Sequence, residues 1–165
     1  MTHTDLLRQT ELFAKLGEDE LAAVAKCILE QSAAAGELII REGQPGEALY
    51  VLKSGRVLVE KSHGDKKIKL AELTPGAVFG EMSLIDNFPT SATVTALQAS
   101  TFLAIGRLDL NVLLTWDTVL GAKMWRSFTE MLCYRLRATN LKLMQRLGDE
   151  ASHELLSATV DIEAR

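Results

Sequence analysis

Cysteine is scarce in this chain. There are two, Cys27 and Cys133, far apart and outside any Cys-x-x-Cys pair. They are expected as reduced, semi-buried thiols of a cytosolic protein, which places the chain in the cytoplasm. Histidine is also thin. His3, His63 and His153 are scattered and have no metal-ligand spacing, so no metal is expected. Positive charge is not in excess, with a net charge of −4. No basic stripe of the kind that tracks nucleic acid is present, which argues against a DNA-binding domain. No apolar run approaches ~18 residues, so no helix is expected to cross a membrane. The N-terminus lacks a basic segment followed by an apolar one, so no signal peptide is expected. There is no Ser/His/Asp set, Walker loop or paired acidic motif. The expectation is a protein that is not an enzyme and carries no cofactor of its own.

What is present is ordinary globular material. At 165 residues, with 47% hydrophobic and 24% charged residues, the chain suits one domain with a real core. Residues 5–30 have a helical pattern. Leu6, Leu7, Leu12, Phe13 and Leu16 fall at helix-compatible spacings, and Gly17 interrupts them. A second helix is expected to start near Glu18, with Leu21, Val24, Ala25 and Ile28 as its buried stripe.

From Gly36 the period becomes two. Strands are expected at 37–41, 48–52, 56–60 and 66–73, with turn clusters at 42–46, 54–55 and 62–65. Two more follow at 91–97 and 100–105. Short strands at even spacing argue for an antiparallel β-sandwich or barrel over about 36–106. The lysines Lys66, Lys67 and Lys69 are read as a solvated hairpin strand. Residues 109–147 are helical again. Asp109 is expected to cap a short helix carrying Leu110, Leu113 and Leu114. A long helix then shows Trp125, Phe128, Leu132, Leu136, Thr139, Leu143 and Leu147 at steps of three and four. Gly148 is the expected C-cap, and 148–165 the expected tail. An apolar face of that length predicts a homodimer through the C-terminal helix.

The stretch 79–94 organises the rest. Pro75 and Gly76 make a turn, and residues 77–79 have room for a brief strand. Gly80 follows, where backbone can approach a ligand without a Cβ in the way. Residues 81–84 have room for about one helical turn, with the Glu81 carboxylate at its start. Pro89 ends the helix and prepares an extended run over 92–96. A strand, a glycine, one helical turn and a second strand make a small anion cradle.

Phe79, Gly80, Glu81, Met82, Ser83 and Leu84, closed by Pro89, Ala92, Thr93 and Val94, resemble the phosphate-binding cassette of cyclic nucleotide-binding domains, of the catabolite activator protein and cAMP-dependent protein kinase regulatory subunit type. The likeness extends over roughly residues 10–147. It implies an α+β fold, a jelly-roll barrel between N-terminal helices at about 5–30 and C-terminal helices at about 109–147. It implies a signal-transducing sensor of cAMP or cGMP with Glu81 on the ribose 2′-hydroxyl. The ligand-binding set it suggests is Phe79, Gly80, Glu81, Met82, Ser83, Thr90, Ser91 and Ala92. One position departs from the pattern: Thr90 stands where the family has its phosphate-pairing arginine. Arginine would meet a cyclic phosphate with two charge-assisted hydrogen bonds, and threonine offers one neutral hydroxyl. Arg56, Lys53 and the lysines at 66–69 are other cations of the barrel, which the sequence does not place. Binding is therefore expected to be weak or altered. Two alternatives stay open: a ligand-independent dimerisation and docking scaffold, or a sensor of another ligand such as a cyclic dinucleotide.

Overall fold

The computed structural model describes the backbone of residues 2–163 and the side chains of residues 2–148. The chain divides into two compact units, residues 1–127 and 128–165. The first unit opens with α1 (His3–Gln9) and α2 (Glu18–Lys26). Thr2 caps α1 by accepting from the Asp5 amide, and the Asp5 carboxylate accepts from the Thr2 amide in return. The Glu20 carboxylate accepts the Gly17 amide at 2.6 Å and closes the start of α2 in the same way. Between them, Leu12 and Phe13 are fully buried, but in turns rather than in a helix.

Eight antiparallel strands then form two four-stranded sheets. They are β1 (Ile28–Ala33), β2 (Leu38–Ile40), β3 (Ala48–Ser54), β4 (Val57–His63), β5 (Lys66–Leu73), β6 (Val78–Phe79), β7 (Thr93–Ala96) and β8 (Ser100–Gly106). One sheet runs β1-β8-β3-β6 and the other β2-β7-β4-β5. β1 is a correction: it falls partly within residues expected to be helical. Ile28 pairs with Ile105 at one end of β8, and Ala33 with Ser100 at the other.

The barrel core joins both sheets through Tyr50, Leu52, Val57, Phe79, Val94, Ala96 and Phe102. Tyr50 and Phe79 stack with ring centroids 5.1 Å apart, and Phe102 meets both edge-on at 5.6 and 6.3 Å. Such pairs add to the burial of three large rings. Gly55 shows why its turn needs glycine. Its φ is +95°, and a Cβ there would come within 2.6 Å of the Ser100 Cα.

α3 (Met82–Ile85) lies between β6 and β7, and α4 (Arg107–Thr115) follows β8 directly. Gly106, not Asp109, is the cap residue of α4; Asp109 sits in its first turn. α5 runs over Thr118–Glu163. It passes straight through Gly148, so the expected cap is not formed, and the expected tail is helical as far as Glu163. Residues 164 and 165 lie outside the described residues. At the start of α5 the buried side chains are Leu120, Met124, Phe128 and Met131, whereas Trp125 is 42% exposed. Cys27 is half-buried, and burial, helped by the Asp109 carboxylate, pushes its thiol pKa up. Cys133 is exposed, against the expectation of two semi-buried thiols. Among the described residues no helix is long and apolar enough to cross a membrane, and no group of three or more His, Cys, Asp or Glu could hold a metal.

Candidate functional site

The cassette is built as a tight excursion between two sheets. β6 ends at Phe79, whose ring is 4% exposed and locked among the barrel aromatics. Gly80 turns the chain with φ +79°. A Cβ there would lie 2.8 Å from the Ala48 carbonyl and 3.0 Å from the Tyr50 ring. Close approach at Gly80 is therefore to the barrel itself, not only to a ligand. Glu81 occupies the N-cap position of α3 and is 3% exposed. Its carbonyl accepts from the Leu84 and Ile85 amides at 3.0 and 3.2 Å. Asn87 ends the excursion in the left-handed region, φ 59°, a conformation that asparagine tolerates better than most residues.

A cavity of about 270 Å³ opens beside this excursion. Its wall includes Arg41, Gln44 and Glu47 from the turn between β2 and β3, Tyr50 of β3, Gly80 and Thr90. Of the eight residues singled out in the sequence, the cavity wall takes in Gly80 and Thr90. The other six do not line it. Phe79 and Ala92 are buried. Met82 is 46% exposed, and Ser91 is exposed with its hydroxyl donating to the Met82 sulfur at 3.8 Å. Ser83 is buried, and its Oγ has no hydrogen-bond partner among the described residues. It lies against Gly46, where a Cβ would come within 2.0 Å of it. Glycine at 46 is thus required by contact rather than by φ.

Thr90 is 8% exposed and is tied to the facing turn on every side. Its hydroxyl donates to the Arg41 carbonyl and accepts the Gln44 amide at 3.2 Å. Its own amide donates to the Gln44 carbonyl at 2.8 Å, and its carbonyl accepts the Gly43 amide at 2.9 Å. Glu42 adds a bond from its amide to Thr93 Oγ1. Lys61 reaches across from β4 to the Glu42 carboxylate and the Ser91 carbonyl, at 3.2 and 2.7 Å. The Ser62 amide, and then Lys61, hold the Glu42 carboxyl below the usual carboxylate range. Threonine at 90 is a stitch between cassette and turn.

Arg107 went unnoticed in the sequence. At the first position of α4 it donates from Nε to the Gly46 carbonyl, from Nη1 to Asn87 Oδ1 and from Nη2 to the Ser83 carbonyl, at 2.9, 2.9 and 2.8 Å. One guanidinium therefore joins α4, the turn 41–47 and both ends of the α3 excursion. An isolated arginine after a strand carries no sequence signal for such a role. In the sequence Tyr50 is marked only as a strand residue. It is 8% exposed, and burial, then the Glu47 charge, pushes its phenol above the usual range, so the hydroxyl stays a donor.

The model of the cyclic nucleotide-binding domain matches residues 30–115, about half of the chain. The chain belongs to the cyclic nucleotide-binding domain family. It is 33% identical over 120 residues to the cAMP-dependent protein kinase regulatory subunit of Blastocladiella emersonii, covering 72% of this chain and 30% of that one. The chain spans 10% to 30% of the length of three curated relatives it matches, that subunit included. The N-terminal domain of a transcriptional regulator from Streptomyces coelicolor superposes with a TM-score of 0.69 at 34% identity, covering 82% of this chain and 95% of that one. The regulatory subunit of a cAMP-independent protein kinase A from Trypanosoma brucei superposes with a TM-score of 0.62 at 25% identity, over 64% of this chain and 39% of that one. That structure is a triply substituted form bound to cAMP in its A site, and one of the three changes puts arginine for threonine. The fold expected from the cassette and the barrel is therefore the fold of the family, with a regulatory cyclic nucleotide-binding domain as its function class.

Proposed function

We propose that this chain is the sensing module of a signalling protein, takes a single cyclic nucleotide into the cavity beside the cassette, and catalyses no reaction of its own. The cavity carries this reading. Its volume of about 270 Å³ lies near the lower end of small-ligand sites, which suits one nucleotide better than a cyclic dinucleotide. In this reading Glu81, Met82, Ser83, Ser91 and Ala92 contact or shape the ligand from the cassette side, and Gly80 and Thr90 from the cavity wall. Phe79 acts by holding the cassette to the barrel. Binding is weaker than a cassette arginine would give, because position 90 itself brings no charge. The protein kinase A subunit of Trypanosoma brucei, seen with cAMP in a form that gains an arginine in place of a threonine, supports that view. Occupancy is passed on through Arg107, because movement of the turn or of the α3 excursion pulls on the first residue of α4. Output then goes to a protein effector or through a homodimer built on α5.

Titration calorimetry with cAMP and cGMP tests the reading. Wild type is expected to bind weakly, and Thr90→Arg to gain a factor on the order of 10 to 100 in affinity, the worth of one charge-assisted pair. Glu81→Ala in that background should remove most of the gain. A second reading has its own observation: the Thr90 hydroxyl spends its proton and accepts an amide within the protein. If none of the three proteins binds while all remain folded, the cassette is a stitched scaffold and the docking reading replaces the sensor.

A further inference from the structure

We propose that Arg41 supplies the counter-charge for the ligand's phosphate in this cavity, from the turn opposite the cassette, in the place of a cassette arginine. The proposal rests on the nucleotide reading above and names the residue that makes it work in this chain. Among the residues of the cavity wall, Arg41 is the one cation. Other arginines of the unit are committed: Arg8 to Glu18, Arg56 to Glu72 and Arg107 to its three acceptors. Among the described residues the Arg41 guanidinium makes no ion pair and no hydrogen bond. Its backbone, by contrast, is fixed. The Arg41 carbonyl accepts from the Thr90 hydroxyl, and the next amide is held by Thr93. A rigidly held backbone with an uncommitted guanidinium beside a cavity is the arrangement of a ligand group rather than of a structural ion pair.

Tyr50 is the second, independent observation. The residue is 8% exposed and lines the same cavity, and its hydroxyl, which is not sealed from solvent, has no hydrogen-bond partner among the described residues. A phenol that opens to the cavity without a protein partner can donate its hydrogen bond to a ligand oxygen. Arg41 and Tyr50 together offer a phosphate one charged and one neutral donor. Glu47 lines the cavity too and opposes an anion there, which limits affinity. Thr90 acquires a reason on this view. It gives up the charge of its own position and positions the residue that carries it.

The test is equilibrium binding of four probes, cAMP, cGMP, adenosine and guanosine, to wild type, Arg41→Gln, Arg41→Lys and Glu47→Gln, over a salt series. Arg41→Gln should weaken cAMP or cGMP about tenfold and flatten the salt dependence, with nucleoside affinity unchanged. Arg41→Lys should recover part of the loss, since it keeps the charge and loses the planar fork. Glu47→Gln should strengthen the cyclic nucleotides. Arg41 and Glu47 are exposed, so melting temperatures within a degree or two of wild type check that the fold is intact. If wild type binds a cyclic nucleotide and Arg41→Gln binds it equally, Arg41 is not the counter-charge and the sensor reading survives without it. If wild type binds no cyclic nucleotide up to millimolar concentration, the sensor reading itself fails and takes this assignment with it.

Discussion

At the scale of single residues, the site depends on side chains whose work is done inward. Phe79 belongs to the family pattern, yet its ring is buried between Tyr50 and Phe102 and not in the cavity wall. Phe79→Ala should therefore lower stability by about 3–5 kcal/mol. Urea denaturation checks it, and a mutant that kept its melting temperature but lost ligand would overturn the assignment. The residues legible in the sequence were those with local punctuation: Gly80 before a one-turn helix, Pro89 after it, Thr90 in place of an arginine. Arg41, Tyr50 and Arg107 were not legible as site residues. They come from just past the end of β2, the interior of β3 and the start of α4, and only the folded barrel brings them beside the cassette. Thr90 was half-legible. The missing charge showed in the sequence, but the two hydrogen bonds of its hydroxyl depend on a turn more than forty residues upstream.

Among the elements, the errors had physical causes. β1 lies at a sheet edge and buries only Ala33 fully, with Leu29 66% exposed, so its sequence lacks the alternation of a half-buried strand. It also follows α2 almost without a break, and Ile28 fits the helical period as well as the strand. The long helix was found by its steps of three and four, but its early buried face is Leu120, Met124, Phe128 and Met131 rather than the stripe through Trp125. Both spacings are helical, so period alone does not choose between neighbouring faces. α2 and the start of α5 are joined by Lys123, whose Nζ donates to both Glu20 oxygens at 2.7 and 2.8 Å. The Lys123 bond first, and the Gly17 amide second, hold the Glu20 carboxyl below its ordinary range. A depressed carboxylate stabilises the fold above its unfolded pKa, about 4.3, and that contribution is lost as pH falls through the folded value. Glu20→Gln should thus be less stable than wild type at pH 7, by under about 1 kcal/mol for a pair this close to solvent. The gap should close as the pH is lowered toward 3. Thermal melts of both proteins between pH 3 and 7 decide it, and a gap independent of pH would show that the pair contributes nothing through its charge.

On the scale of the whole molecule, the described part of α5 beyond residue 132 has much apolar surface in solvent. Leu136, Leu143 and Leu147 are each more than half exposed, and Tyr134, Leu141 and Met144 flank them. A second copy would cover that surface. Light scattering at micromolar concentration should return a dimer mass for wild type, and the double variant Leu132→Asp with Leu136→Asp should return a monomer. A wild-type monomer mass would end the dimer proposal. The two sheets bear on solubility as well. Each has two open margins, and an open margin is where a foreign strand can add on. β2 and β6 have three and two residues, too short to template much. β1 shows Glu30, Gln31 and Ser32 to solvent. β5 is the long margin, eight residues and mostly exposed, and it is there that Lys66, Lys67 and Lys69 stand. Bringing two such margins together would set like charges side by side. The lysines therefore act as a guard against strand-by-strand growth into aggregates, a protection the barrel needs whether or not any ligand is bound.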